Sequence, residues 1–166
     1  MSAEMLFYPL AALCTVGALG VVLARNPLHG ALWLVTSFFF LSAIYILLGA
    51  HFVGILQLIV YAGAIMVLFL FVIMLLALTD ADLGERKVTL FKVVGGAAAL
   101  SAILIAWQVL AKAPAGSPPP EIPASFGTVA AVGSKLFTEL PLQFETVSLL
   151  LLIAIAGAVV VAKARI

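Results

Sequence analysis

Residues 52–78 read FVGILQLIVYAGAIMVLFLFVIMLLAL, without one Asp, Glu, Lys, Arg or His. A hydrocarbon core of about 30 Å is crossed by about 20 helical residues. As a straight helix this run reaches about 40 Å at about 1.5 Å per residue, so it must tilt, kink or protrude. Its two halves differ. The first carries Gly54, Gln57, Tyr61, Ala62, Gly63 and Ala64, while residues 67–78 are almost uniformly bulky and apolar.

The rest of the chain shares the bias. Of its 166 residues 66% are hydrophobic and 9% charged, where a soluble domain averages about 25% charged. The mean hydropathy is +1.34, and these values describe an integral membrane protein. A net charge of +1 leaves no basic patch to neutralise phosphates, which excludes nucleic acid as a partner. Cys14 is the single cysteine and cannot form an intrachain disulfide. With only His29 and His51 beside it, the chain has too few ligands for a metal or iron–sulfur centre of its own. The opening MSAEMLFYPL lacks both a basic signal-peptide start and an Arg-rich transit pattern, so the first apolar run is expected to remain as a span.

Five apolar runs emerge, at about 5–23, 28–48, 52–78, 90–110 and 142–162. Arg25-Asn26-Pro27 closes the first and Gly49-Ala50-His51 the second. DADLGERK at 80–87 follows the third, and Lys163 and Arg165 close the fifth. Between the fourth and fifth lies a connection, about 113–140, that holds five of the eight prolines by Pro123 and favours extended polyproline structure. No run alternates with the period of two that barrel strands require. The expected fold is an all-α integral membrane protein, one membrane domain over residues 1–166 with five transmembrane helices. Placing the N-terminus outside puts Arg25, Arg86, Lys87, Lys92, Lys163 and Arg165 on the inner side and only Lys112 and Lys135 on the outer. The positive-inside rule therefore favours a cytoplasmic C-terminus and an external Pro-rich loop.

Small residues recur at four-residue spacing in the fourth run (Gly95, Gly96, Ala97–Ala99, Ala102, Ala106) and in the fifth (Ala154, Ala158, Ala162, beside Gly157). In lipid, close approach through small residues is a principal attraction between helices, so these faces suggest contacts beyond the five helices themselves, unless they only reflect how common Gly and Ala are in membrane helices.

Little in the chain could carry chemistry alone. It has no phosphate-cradling glycine loop, no metal-ligand spacing and no nucleophile–base set, so no catalytic residue is assigned. Proton transfer at membrane depth needs ionisable groups, and Glu145 is the one candidate, close to the start of the fifth run. It reads either as an interfacial carboxylate near the positive end of a helix that begins at Pro141, or as part of a proton or water path. His51, Gly54, Gln57 (or Leu58) and Tyr61 recur every three to four residues and share one helical face. That face meets either another helix or a hydrated path, with Gln57 as its candidate path residue. Gly63, between Ala62 and Ala64, weakens the helix by about 1 kcal/mol. It permits a π-bulge at residues 61–66 without requiring one.

At residues 59–76, IVYAGAIMVLFLFVIMLL, the sequence resembles the third helix of the J subunits of proton-translocating NADH:quinone oxidoreductase, respiratory complex I. Their mitochondrial counterpart is NADH dehydrogenase subunit 6. Arg25-Asn26-Pro27-Leu28-His29-Gly30-Ala31-Leu32 resembles that family's N-P-x-x-A-L loop, with one extra residue before the Ala-Leu pair. Gly133-Ser134-Lys135-Leu136-Phe137-Thr138 and LPLQFETVSLLLL at 140–152 resemble its approach to the fifth helix. Thr146-Val147-Ser148 departs there from a commoner Leu-Ala-Ser. The resemblance implies a non-redox subunit of the membrane arm, partnered by other membrane-arm subunits and lipid. It also implies a third helix that switches between α and π-bulged forms to couple quinone reduction to proton translocation. Tyr61, Gly63, Met66 and Phe69 would be the gating residues. No cofactor is expected on this chain; NADH, FMN, iron–sulfur clusters and quinone would belong to other subunits. The expected location is a bacterial inner membrane, in preference to the mitochondrial one. Two alternatives stay open: a J-like subunit of a related sodium/proton antiporter or membrane hydrogenase, and a purely structural assembly subunit.

Overall fold

The computed structural model describes residues 3–76, 90–112, 123 and 125–163. The charged segment at 80–87, most of the Pro-rich run and Arg165 lie outside the described residues. The elements are α1 (Ala3–Leu23), α2 (Pro27–Leu47), α3 (His51–Leu56), a π-helix π1 (Gln57–Ile65), α4 (Met66–Leu75), α5 (Leu90–Ala111), α6 (Val129–Thr138) and α7 (Pro141–Ala162). α3, π1 and α4 run on without a break as the third long helix.

Local chemistry sets the helix ends. Asn26 caps α2, its side chain accepting from the Leu28 N–H at 2.9 Å, and Pro27 occupies the first turn, where a missing N–H costs nothing. At the far end Gly49 adopts φ +79°. Its N–H donates to the Ile46 carbonyl and that of Ala50 to the Tyr45 carbonyl, so two of the helix's terminal carbonyls are satisfied. The left-handed turn sends the chain straight back as α3.

Packing is inverted relative to a soluble protein. Large apolar residues such as Leu23, Leu68, Leu75, Trp107 and Leu152 are exposed, while the enclosed positions include Gly17, Gly30, Ala31, Ser37, Ser42, Gly54, Gln57 and Met66. Bulky residues gain little by leaving lipid, whereas small ones let backbones approach. α1 meets α2 through such positions. A Cβ on Gly17 would lie 3.1 Å from that of Ser37, and one on Gly20 would lie 2.5 Å from the Trp33 ring. The Ser37 hydroxyl donates to the Cys14 carbonyl at 3.2 Å, and the Cys14 thiol lies 3.6 Å from the Ser37 carbonyl. On its other side α2 meets the third helix, where Gly54 fits beneath Ile46.

One expectation changes here. The connection at 113–140 is not extended throughout, because residues 129–138 form α6. Its Thr128 cap accepts from the Ala131 N–H, and Val129, Val132 and Leu136 recur at helical spacing beyond the last proline. α6 then stacks on α7 through Phe137 and Phe144, ring centroids 5.0 Å apart. The small faces of the fourth and fifth runs find no neighbour among the described residues, so any contact they make is to something other than these helices. A Cβ on Gly95, Gly96 or Gly157 would meet nothing within 4 Å, and the small residues that do pack lie on α1, α2 and α3.

A Cβ at Gly54 would come within 2.7 Å of Ile46 Cγ1 and 3.1 Å of the Ser42 carbonyl oxygen. Gly54→Val is therefore expected to destabilise the α2–α3 pair by about 1–3 kcal/mol. Thermal denaturation of the detergent-solubilised protein measures this, with Gly95→Val as the silent comparison.

Candidate functional site

The third helix changes its hydrogen-bond register midway. The Gln57 N–H still reaches Val53, four residues back, but the Met66 N–H reaches the Tyr61 carbonyl, five residues back. By Leu76 the ladder has returned to four, its N–H bonding Val72. Between these points π1 holds nine residues in a widened turn. The expected bulge at 61–66 is thus found longer and earlier, and Met66 opens the α-helix that follows it.

Burial follows the same change. Gly54, Gln57 and Met66 are the buried residues of the third helix, and Leu58, Ala62, Gly63, Leu70 and Ile73 are half-buried. Gln57 and Met66, nine residues apart, face the same way after two turns, where an α-helix would need about seven. Beyond Met66 the inward positions fall at 70 and 73, the ordinary α spacing. The widening therefore keeps both halves of the helix packed on α2 although their sequence patterns are out of phase.

The polar stripe inferred from α-periodicity is consequently split. Gly54 and Gln57 are enclosed, Gln57 at 8% exposure, while His51 and Tyr61 are exposed. Tyr61 is carried to the edge of the interface, where its ring meets Phe38 of α2 edge-on, centroids 5.8 Å apart at 70°. Gly63 is half-buried, and a Cβ there would stand 3.3 Å from the Leu58 carbonyl oxygen. Met66, at 4%, is the most enclosed apolar side chain of the third helix. Phe69 is half-exposed and, with Ile73, walls an open groove of about 330 Å³ at the α1–α2 turn, opposite Arg25, Asn26 and Pro27.

Glu145 is not brought to this cluster. It lies on α7, exposed, past the first turn that begins at Pro141, and that first turn holds no acidic residue. Phe38 and Ser42, which complete the α2 side of the site, escaped sequence reasoning. Their recurrence at four residues was the available signal, but it is one that any membrane helix shows.

The site gathers an amide, a phenol ring, a glycine and a thioether around a widened backbone. Among the described residues no group of three His, Cys, Asp or Glu side chains could hold a metal. Such an arrangement can change shape or solvation as the backbone register changes. It belongs to a multi-pass, all-α membrane protein.

The chain belongs to the NADH-ubiquinone/plastoquinone oxidoreductase chain 6 family, whose sequence profile matches residues 17–161. It is 37% identical over 159 residues to NADH-quinone oxidoreductase subunit J of Rhodobacter capsulatus, covering 92% of this chain and 78% of that one. The subunit J of Escherichia coli (strain K12) is 39% identical over 158 residues, 95% and 83% of the two chains. A chloroplastic NAD(P)H-quinone oxidoreductase subunit 6 from Staurastrum punctulatum is 31% identical over 154 residues, 91% and 85%. The resemblance drawn from the third-helix motif is borne out.

The Phe38–Tyr61 contact is an edge-on ring pair, so Tyr61→Phe should leave stability nearly unchanged. A double-mutant cycle with Phe38→Leu and Tyr61→Leu should yield a coupling of about 0.5–1.5 kcal/mol, measured from denaturation midpoints in detergent.

Proposed function

We propose that this chain is a non-redox membrane-arm subunit of a proton-translocating NADH:quinone oxidoreductase, and that π1 is the element coupling quinone reduction to proton movement. The register change between Gln57 and Met66 carries the reading. π-segments inside α-helices are costly and recur at functional sites. This one lies beside the single enclosed amide of the third helix.

The two forms of the segment would present different faces to α2. In the widened form Ala62, Met66 and Leu70 follow Gln57 inward. Restoring α geometry throughout would bring residues 61, 64–65 and 68 onto that face instead. Tyr61 would move inward, while Met66 and Phe69 would swing away with α4. Water admitted beside Gln57 in one form would be displaced in the other, which is how a helix with no carboxylate, lysine or arginine can gate a proton path. Glu145 on α7 would contribute to that path where partner subunits cover it. NADH, FMN, iron–sulfur clusters and quinone would be held by other subunits, and the membrane would be a bacterial inner membrane.

A five-span topology is supported by chain connectivity, and its external N-terminus by the distribution of basic residues. The third helix leaves the Gly49–His51 turn and ends a membrane thickness away. Yet the Phe52 N–H donates to the Gly127 carbonyl at 3.0 Å, so the chain has returned to its starting end. α5, with 22 residues or about 33 Å, is long enough to make that crossing.

Gly63→Val tests the coupling, because its branched Cβ would crowd the Leu58 carbonyl that the widened turn brings close. The expected result is assembled complex with NADH:quinone oxidation retained and protons pumped per NADH reduced severalfold, with Gly63→Ala milder. Loss of assembly in parallel with activity would make Gly63 a packing residue and overturn the gating reading.

A further inference from the structure

Two contacts outside π1 converge on the short helix before it. The Ser42 hydroxyl, wholly enclosed at 0% exposure, donates a 2.7 Å hydrogen bond to the Gly54 carbonyl. From the opposite side, the Gly127 carbonyl accepts from the Phe52 N–H. That N–H is among the first four of α3, which have no acceptor within the helix. The approach is a close one. Gly127 has φ +69°, and a Cβ on it would collide with the Gly49 carbonyl oxygen. Thr128 stiffens the same turn, its hydroxyl donating to the Ser125 carbonyl at 2.7 Å and capping α6. α3 is thus tied to α2 through Ser42 and to the α6–α7 unit through Gly127.

α4 is held differently. Met66 packs on α2, Phe69 and Ile73 wall the shallow groove, and Leu68, Met74 and Leu75 face outward. In hydrocarbon, exchanging one apolar surface for another costs little, whereas a buried backbone carbonyl that loses a hydroxyl donor finds no water to replace it.

We propose that Ser42 and Gly127 are positioning residues that hold α3 as a fixed anchor, so that a register change in π1 turns α4 and leaves α3 in place. This rests on the gating reading of π1. The rotation produced by removing a widened turn is divided between the two ends of the helix, and the end with polar ties resists it. The moving half is then the one ending near the Arg25–Pro27 turn, and the external half stays tied to the Gly127 turn that precedes α6.

The test uses the intact complex carrying Ser42→Ala, Ser42→Thr or Gly127→Ala, read by amide hydrogen exchange and by protons pumped per NADH oxidised. Ser42→Ala is expected to speed exchange in residues 52–58 about fivefold, as the loss of one net hydrogen bond implies. Ser42→Thr should keep exchange slow, because it keeps the donor. Gly127→Ala should free the Phe52 amide specifically, and if it blocks assembly the Ser42 pair still decides. Unchanged exchange in assembled Ser42→Ala, or equal acceleration in Ser42→Thr, overturns the anchor whatever Gly63→Val does. Faster exchange with an unchanged pumping ratio supports the anchor and counts against gating by π1.

Discussion

Hydrocarbon offers a backbone no hydrogen-bond partner, and this constraint governs how the third helix can bend. A soluble helix under strain can open a turn to water; here every N–H must find a carbonyl within the protein. Moving from four-residue to five-residue bonding meets the requirement, since the Met66 N–H exchanges one carbonyl for the next without being orphaned. The widened stretch is therefore a form of irregularity that a membrane can tolerate, and it lets two out-of-phase halves pack on α2. A break at Gly63 would have left donors exposed to lipid.

The same solvent explains why the interior is built of small and weakly polar groups. Gly17 and Gly20 bring α1 against α2, and Gly54 brings α3 against it, with Cys14, Ser37 and Ser42 supplying hydrogen bonds across the contacts. α2 is thus the common partner, contacting α1 along one side and all three segments of the third helix along the other. The large apolar side chains are left outward, where lipid receives them.

Apolar run length is a strong signal in a membrane protein, and α2 and α7 begin at Pro27 and Pro141, where charge and proline marked them. Sequence reading was weaker wherever a distant residue decides the outcome. Gly63 signalled that the third helix could widen, yet the extent from Gln57 depends on where α2 accepts a face, and α-periodicity assumed the phase that π1 breaks. Tyr61 was consequently grouped with Gln57, although the structure turns it to the edge against Phe38. α6 was hidden by composition, because the prolines up to Pro123 coloured a connection whose later part, from Val129, carries an apolar helical pattern. The small-residue stripes of α5 and α7 were plain to read but not their partners, since none lies within the described part of this chain.

Met66 shows why such a helix could turn without a large energetic penalty. It is the side chain on which the widened form closes against α2, and it is unbranched, with three rotatable bonds and a polarisable sulfur. A β-branched residue there would fit one register and clash in another, whereas methionine can refill the gap as the backbone phase changes. Its neighbours on α4 are apolar on every side, so in the proposed rotation α4 would exchange Leu or Phe for Met at α2 and return Met to lipid without moving a polar side chain of its own. The barrier would then reside in the backbone hydrogen bonds of π1, which shift one at a time, and not in the packing of α4. A helix with bulky apolar residues beyond its weak point is consequently better suited to turning than one with polar residues there, and residues 67–76 of this chain have that composition.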